Sequence, residues 1–382
     1  MRRLDSKLPN VGTTIFTLMS QLAEQHRAVN LSQGFPDFLP PAALLELVER
    51  CTRGRFHQYA LMPGSLALRT AIAAKLAALY DVTADPITEI TVTSGATEAI
   101  FDAIQAVVRR DDEVIVFDPC YDSYEPSITL AGGRAIHLPL TSTDFSIDWE
   151  RLRQALNDRT RLVIINSPHN PSGALLGRAD FDRLAELLRP YDCYLLSDEV
   201  YEHVVFDGTP HATALAQPEL AERCFAVFSF GKTYHATGWK LGYCVAPAEL
   251  SSEVRRVHQY VTFASTSPLQ QALAEYLTAH PEHHLGLPAF YQERRDYFAG
   301  LLAATRFRPL RAAGTYFQLA DYGAISMLPD VEFARWLTIE HGVATIPVSV
   351  FYQQPPDARL VRFCFAKENA TLDAAAERLR RL

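Results

Sequence analysis

The chain has 382 residues, of which 48% are hydrophobic and 21% are charged, as in an ordinary globular protein. Its 36 basic and 44 acidic residues leave a net charge of −8, which argues against a surface for nucleic acid or for anionic membranes. The six cysteines form no CxxC pair, so neither a disulfide framework nor a zinc site is indicated. No apolar run has the length of a membrane span or forms a signal peptide, and we therefore expect a cytoplasmic protein.

Between about residues 65 and 270, short β-rich apolar runs alternate with segments of helical period. The predicted strands are EITVTSG, EVIVFDPC, RAIHLPL, RLVIINSP, CYLLSDEV, CFAVFSF and LGYCVAP, and helices are predicted in SLALRTAIAAKLAAL, TEAIFDAIQAVVRR and ADFDRLAELLRPY. This alternation predicts an α/β fold with a mainly parallel seven-stranded sheet covered by helices. We assign it to a large domain of residues 46–274.

From about residue 267 the pattern becomes rich in helices, with the runs GTYFQLADY and RLVRFCF as strands between them. The first 45 residues lack the alternation of strands and helices. We therefore expect residues 1–45 and 275–382 to form a smaller α+β domain. In open α/β sheets ligands bind beyond the carboxyl ends of the strands, so the residues that follow each predicted strand are the candidates for function.

Two of these strand ends are suited to phosphate or polar groups. TVTSGATEA leaves a strand through Gly95 and enters a helix at Ala96 and Thr97, and such a helix N-terminus attracts a phosphate. An ordinary strand-to-helix turn would use the same small residues. INSPHNPSG, which contains Asn170, is rich in proline and asparagine, and it is compatible with a tight turn as well as with a binding loop.

Two further strand ends carry charged groups. Asp198 ends the apolar strand of LLSDEVYEHVVF, where a carboxylate is costly to bury unless it meets a cation or hydrogen-bond donors. Lys232 follows the strand CFAVFSF in SFGKTYHATGWKLG, and a lysine in an apolar cleft loses protons readily and becomes a nucleophile. Lys232 does not belong to a nucleotide-binding phosphate loop, because that motif needs a glycine where this chain has Ala226.

These strand ends are more informative together than each is separately. A helix N-terminus suits a phosphate, the asparagine loop and Tyr201 suit a phenolic oxygen, Asp198 suits a protonated pyridine nitrogen, and Lys232 suits an aldehyde. Together they describe pyridoxal 5′-phosphate, whose expected partners are a Schiff-base lysine and an aspartate at the ring nitrogen.

With these residues in place, the sequence resembles the class I/II aminotransferases of fold type I over essentially its whole length. SFGKTYHATGWKLGY resembles the lysine signature of that family, in which most members carry arginine where this chain has Lys240. The branch of kynurenine, glutamine and methionine aminotransferases is similar in using GWK. The resemblance implies that Lys232 forms the Schiff base and that the phosphate is bound by Gly95, Ala96, Thr97, Ser229 and Lys240. It also implies that Tyr121 stacks on the pyridine ring and that Asp198 pairs with the ring nitrogen. By the same resemblance, the phenolic oxygen of the ring is bonded by Asn170 and Tyr201.

The same resemblance implies how substrate and a second subunit are bound. Arg362, assisted by Asn170 and the backbone of Gly34, would hold the α-carboxylate of an amino acid or a 2-oxo acid. Tyr59 would reach the phosphate of the neighbouring subunit of a homodimer. Phe16 and Phe263 match aromatic pocket residues, and VTFASTSP has no basic residue where dicarboxylate-specific members carry a second arginine. We therefore expect an apolar donor, namely methionine or an aromatic amino acid such as kynurenine.

Three alternatives remain at this stage. A lyase that expels a thiolate from a cysteine conjugate could use the same scaffold. A transcriptional regulator with an aminotransferase-like domain would need a DNA-binding domain, for which there is no room before Leu31. A metal enzyme has only PEHHLG as a candidate, and adjacent histidines on a helix point to different sides, so we expect neither a metal, a nucleic acid nor a membrane as partner.

Overall fold

The computed structural model describes residues 5–382, which alternate between strands and helices. In chain order the strands β1 to β13 are Val29–Asn30, Ile90–Thr93, Glu113–Asp118, Arg134–Pro139, Thr160–Asn166, Tyr194–Asp198, Cys224–Ser229, Gly242–Val245, Arg308–Pro309, Phe317–Asp321, Val343–Ala344, Ile346–Pro347 and Leu360–Cys364. The helices α1 to α14 are Ile15–Gln25, Ala42–Arg53, Leu66–Tyr80, Ala96–Val107, Tyr124–Ala131, Trp149–Ala155, Arg178–Leu188, Pro218–Ala221, Phe230–Thr233, Ala248–Val261, Ser267–Ala279, Pro281–Ala303, Asp330–His341 and Asn369–Leu379.

The seven predicted strands of the large domain form one sheet. Its strand order is β2-β8-β7-β6-β5-β3-β4, and β8 is antiparallel to both of its neighbours while the other pairs are parallel. The predicted α/β class with a mainly parallel seven-stranded sheet is therefore confirmed.

Both faces of this sheet are buried, as the near-continuous apolar strands require. Successive side chains of β5 point to opposite faces. Leu162 and Ile164 belong to the hydrophobic core on one face, and Val163 and Ile165 belong to the core on the other face. Helices cover each core, so that only the ends of the sheet remain accessible to a ligand.

A smaller α+β part lies beside this sheet. Strands β12, β13, β10 and β9 form an antiparallel four-stranded sheet in that order. Its core is aromatic and contains Phe298, Phe307, Phe333 and Phe363, all buried. The N-terminal segment joins this part, because β1 pairs in parallel with β11 and α1 packs on α13.

Helix α12 includes the motif PEHHLG at its N-terminus. The two histidines of that motif contact different neighbours. Nε2 of His283 lies 3.0 Å from the carbonyl oxygen of Thr233, whereas the ring of His284 packs 5.0 Å from that of His203. The pair therefore does not converge on one point. None of the helices in residues 5–382 is both long and apolar enough to cross a bilayer.

The topology marks one edge of the large sheet as the place for a ligand. The chain passes from β3 outward to β4, and then returns to place β5 on the other side of β3. The connections that follow β3 and β5 therefore run in opposite directions, and the crevice between their carboxyl ends is the usual binding position in such sheets.

Candidate active site

A cavity of ≈ 230 Å³ opens at the carboxyl ends of the parallel strands. It brings together all of the predicted site residues except two. The lining includes Phe16, Gly34, Gly95, Ala96, Thr97, Tyr121, Asn170, Asp198, Tyr201, Ser229, Lys232, Lys240 and Arg362. These residues come from eight separate segments, so their convergence tests the expectation that strand ends carry the function.

Lys232 projects into this cavity from α9, the short helix that follows β7. Its Nζ atom lies 2.9 Å from the hydroxyl oxygen of Tyr316 and 3.2 Å from the carbonyl oxygen of Gly34. Removal from water lowers the pKa of Lys232 to about 8, and Arg362 and Lys240 act in the same direction. With this pKa roughly a tenth of the molecules hold the neutral amine at pH 7, far more than for an exposed lysine, and the neutral amine is the form that acts as a nucleophile.

Asp198 ends β6 and is buried in the cavity wall. Its carboxylate accepts hydrogen bonds from the hydroxyl group of Tyr124 at 2.6 Å and from the backbone N–H of Val200 at 3.3 Å. Burial raises the pKa of Asp198 to about 6 in spite of these bonds. No ion pair in the described part of the chain includes this carboxylate, so a positively charged ligand atom would compensate for its burial.

A place for an anion lies at the N-terminus of α4. Gly95 precedes that helix with a φ of 82°, a conformation that other residues rarely adopt. A Cβ atom at this position would lie 3.2 Å from Cε and Nζ of Lys240, whose Nζ is 3.5 Å from Oγ1 of Thr97. The first N–H groups of a helix have no partner within it. Together with Lys240 they fit a phosphate.

Arg362 of β13 forms the opposite wall and is buried. Its Nη1 donates to Oδ1 of Asn170 at 2.8 Å, and its Nη2 donates to the carbonyl oxygen of Ser32 at 3.1 Å. The guanidinium lies 3.9 Å from the ring centre of Phe317 and 5.3 Å from that of Phe16. Its Nε has no hydrogen-bond partner within the described residues, so this planar fork fits a carboxylate from a ligand.

Two predicted residues lie outside the cavity of their own chain. Tyr59 is 85% exposed and Phe263 is 42% exposed. Their rings pack edge to face with centres 5.3 Å apart. The structure thus places them together on the surface, and a single chain gives neither of them access to the cavity.

Several residues around the site were not predicted from the sequence. Tyr124 bonds Asp198, Asn166 lines the cavity, Tyr316 bonds Lys232, and Phe317 packs on Arg362. Asn166 lies within INSPHNPSG, a motif that the sequence analysis considers, and Tyr124 follows the predicted Tyr121 by three residues. Tyr316 and Phe317 lie in GTYFQLADY, which predicts a strand but contains no signal for contact with a lysine 84 residues earlier.

Comparison with known proteins identifies the chemistry of this cavity. A family model described as aminotransferase class I and II matches residues 26–379. The chain belongs to this family. The resemblance inferred from the lysine signature is therefore confirmed, and so is the expectation of an aminotransferase.

Individual relatives agree with the family assignment. The chain is 54% identical to a methionine aminotransferase of Escherichia coli over 99% of this chain and 98% of that protein. It is 33% identical to kynurenine–oxoglutarate transaminase 1 of Mus musculus, over 98% and 96% of the two chains. The crystal structure of Escherichia coli YbdL, described as having a methionine aminotransferase function, superposes with a TM-score of 0.98 at 53% identity and full coverage of both chains.

Aminotransferases of this family use pyridoxal 5′-phosphate, and the cavity fits that cofactor. The observations that support the fit are the partly desolvated amine of Lys232, the buried carboxylate of Asp198 without a cation, and the space beside Gly95 at a helix N-terminus. These groups match the aldehyde, the protonated ring nitrogen and the phosphate of the cofactor.

The environment of Asp198 leads to a prediction about stability. A rise in pKa from 3.8 to about 6 means that the contribution of Asp198 to the stability of the cofactor-free protein falls by about 3 kcal/mol as the pH rises from about 4 to 6. Above that range the loss is complete. Cofactor-free Asp198→Asn should therefore unfold at a higher temperature than the wild type at pH 8, and the difference should disappear near pH 4.

The control is Asp182→Asn, which removes an exposed carboxylate of α7 and should leave the pH dependence unchanged. Saturation with cofactor should stabilise the wild type more than Asp198→Asn, because a neutral amide forms a weaker partner for a protonated nitrogen. Calorimetry at several pH values measures both effects. Equal unfolding temperatures of the cofactor-free proteins at pH 8 would show that the folded chain already compensates this charge.

Proposed function

We propose that this protein transfers the amino group of methionine, and of other amino acids with apolar or aromatic side chains such as kynurenine, to a 2-oxo acid. The observation that carries the proposal is the convergence of Lys232, Asp198 and Arg362 on one cavity. It is supported by the high identity to a methionine aminotransferase along nearly the whole chain.

We assign the cofactor contacts as follows. The helix N-terminus at Gly95, Ala96 and Thr97, together with Ser229 and Lys240, holds the phosphate. Tyr121 lies against the pyridine ring, Asn170 and Tyr201 bond the phenolic oxygen, and Asp198 keeps the ring nitrogen protonated. When bound, pyridoxal 5′-phosphate supplies an aldehyde that takes up the amino group and a ring that accepts the electrons left when the Cα–H bond breaks.

The residues of the chain bind the substrate and move its proton. Arg362 receives the α-carboxylate on its unpartnered edge, and Asn170 and Ser32 hold the guanidinium in that orientation. Lys232, whose Nζ is partly desolvated, accepts the proton from Cα of the amino acid. In the second half of the reaction it returns a proton to Cα of the incoming 2-oxo acid.

The preference for an apolar side chain rests on the lining of the cavity. Within the described residues, the basic side chains of the lining are Lys232, Lys240 and Arg362, and each already has a role. A second carboxylate of the substrate would therefore find no further cation in the described lining of this cavity. Phe16 and Phe317 flank Arg362 and offer apolar contacts to a side chain next to the bound α-carboxylate.

We further propose that the protein acts as a homodimer in which Tyr59 reaches the phosphate site of the partner subunit. Tyr59, Leu61, Tyr260 and Phe263 are exposed apolar or aromatic residues of neighbouring segments. Large exposed patches of this kind are typical of subunit interfaces. The contact between Tyr59 and Phe263 suggests that Phe263 enters the partner's substrate pocket together with Tyr59.

Lys232 is the subject of the first functional prediction. Borohydride treatment of the cofactor-loaded protein should attach the cofactor to Lys232, as peptide mass spectrometry would detect. Lys232→Ala should lower kcat by roughly 10²-fold or more, because a positioned acid–base group is removed. Lys7→Ala, which removes an exposed lysine, should behave as the wild type. Near-normal turnover of Lys232→Ala would refute the assigned mechanism.

Substrate preference gives the second functional prediction. The wild type should have higher kcat/KM for methionine and phenylalanine than for aspartate. Phe16→Ala and Phe263→Ala should each lower kcat/KM for methionine and phenylalanine by roughly 10- to 200-fold, the usual effect of a few apolar contacts, and affect alanine much less. Arg362→Ala should impair all amino acids about equally.

A control assay without a 2-oxo acid measures pyruvate and ammonia from a cysteine conjugate, and its result separates transamination from lyase activity. A wild-type preference for aspartate would contradict the apolar pocket. Loss of stability in Phe16→Ala with unchanged relative preferences would assign that ring to the core instead.

The dimer proposal predicts complementation between two inactive variants. Tyr59→Ala and Lys232→Ala impair different sites if Tyr59 acts across the interface, so a mixed dimer has one intact site. When equal amounts of the two variants exchange subunits at random, about half of the dimers are mixed, and each mixed dimer has one intact site of its two. The mixture should therefore contain about a quarter of the active sites of the wild type. Asp198→Asn mixed with Lys232→Ala is the matched control and should restore nothing, because both residues belong to the cavity of one chain. No recovery in the first mixture would place Tyr59 in its own chain's site or outside any site.

A further inference from the structure

Tyr316 is a buried residue that none of the assigned roles explains. It immediately precedes β10 in the smaller part of the chain and is fully shielded from water. Its hydroxyl oxygen lies 2.9 Å from Nζ of Lys232 and 2.6 Å from the carbonyl oxygen of Gly34. The side chain of Tyr316, next to the smaller sheet, thus lies within hydrogen-bond distance of Nζ of Lys232, which belongs to the large domain.

The donors and acceptors in this triangle can be assigned. The carbonyl oxygen of Gly34 only accepts hydrogen bonds, so the single phenolic proton of Tyr316 points toward it. The oxygen of Tyr316 must then accept a hydrogen bond from Nζ of Lys232. Nζ also donates to the carbonyl oxygen of Gly34 at 3.2 Å. The free amine therefore has two acceptors, and both favour its protonated form.

Packing leaves the hydroxyl of Tyr316 little freedom. Its ring centre lies 5.1 Å from that of Tyr201, 5.7 Å from that of Tyr291 and 5.0 Å from that of Phe317. Gly34 is equally constrained, because a Cβ atom there would lie 2.9 Å from the ring of Phe317. Both acceptors of the lysine amine are consequently fixed in place before any ligand binds.

We propose that Tyr316 is a positioning residue that holds Nζ of Lys232 whenever the amine is free and keeps it beside the loop of Gly34, where the substrate's α-carboxylate is received. This inference rests on the proposed role of Lys232 as the base. A lysine side chain has four flexible bonds, and an amine that drifted within the cavity would meet Cα of the substrate less often. The hydroxyl of Tyr316 restricts that motion.

The same contact favours the protonated form of the Lys232 amine. The charged and titratable groups that face Lys232 are Asp198, Tyr201, Lys240, Tyr316, Arg362 and Cys364. Of these, Tyr316 is the one that accepts a hydrogen bond directly from Nζ in the described residues. Its removal takes an acceptor from the ammonium form, so the pKa of Lys232 falls further.

The test is Tyr316→Phe, which keeps the ring and deletes the hydroxyl. We expect kcat for methionine to fall about tenfold, since a hydrogen bond to a charged group is lost, while KM changes less than about twofold. The acidic limb of the kcat profile should move to lower pH. A purely structural role would lower stability without moving that limb.

Tyr291→Phe is the matched control. Tyr291 is also fully buried and packs on Tyr316, but its hydroxyl bonds Nδ1 of His235 at 3.0 Å and does not reach Lys232. This variant should keep the wild-type pH profile. An identical profile in wild type, Tyr316→Phe and Tyr291→Phe would overturn the proposal.

A second measurement does not depend on turnover. Competitive labelling of the cofactor-free protein with acetic anhydride, followed by mass spectrometry, gives the pH at which Lys232 loses its proton. That pH should be lower in Tyr316→Phe than in the wild type, and an unchanged value would refute the assigned contact. If the phenylalanine variant does not fold, 3-fluorotyrosine at position 316 keeps the hydroxyl, accepts hydrogen bonds more weakly and should shift the labelling pH in the same direction.

The two proposals fail in different ways. If borohydride does not attach the cofactor to Lys232 of the wild type, the proposed function is wrong. If borohydride attaches the cofactor to Lys232 and the wild type is active, but Tyr316→Phe equals the wild type in rate and in the pH at which acetic anhydride labels Lys232, only the role of Tyr316 is wrong.

Discussion

Three charged groups, Lys232, Asp198 and Arg362, face one cavity, and the folded chain leaves each of them incompletely paired. The pKa of Lys232 falls to about 8, the pKa of Asp198 rises to about 6, and Nε of Arg362 has no partner in the described residues. Unpaired buried charge is costly. In the assignment proposed above, a cofactor with an aldehyde and a cationic ring removes this cost at Lys232 and Asp198, and the carboxylate of a substrate removes it at Arg362. Binding and catalysis would then use the same groups.

Such a cavity requires rigid support behind it, and the segment after β6 shows how the chain provides it. Asp198 and Tyr201 face the cavity, whereas Glu199 and Glu202 point to the other side. Glu199 accepts hydrogen bonds from Thr213 and bonds His211 at 2.9 Å, and Glu202 pairs with Lys75 and Tyr80 in a buried network. Bonds behind the segment therefore fix the direction in which Asp198 and Tyr201 point.

The sequence predicts those parts of this arrangement that depend on local pattern. Alternating apolar runs indicate the seven strands, and the rule that ligands bind at strand ends leads to Asp198 and Lys232. Contacts between distant segments could not be predicted in this way. The triangle of Gly34, Lys232 and Tyr316 joins residues up to 282 positions apart, and only the folded chain brings them together. The place of Tyr59 depends on a second chain as well.

The register of the smaller sheet connects substrate binding with the lysine. Strands β10 and β13 are antiparallel neighbours, and Leu319 is paired with Arg362 while Phe317 is paired with Cys364. Arg362 of β13 and Tyr316, which immediately precedes β10, therefore lie close together, and the ring of Phe317 packs on both. In the proposed mechanism, the small sheet therefore supplies the group that binds the α-carboxylate and the segment next to it supplies the group that holds the base, whereas the large domain supplies the base itself.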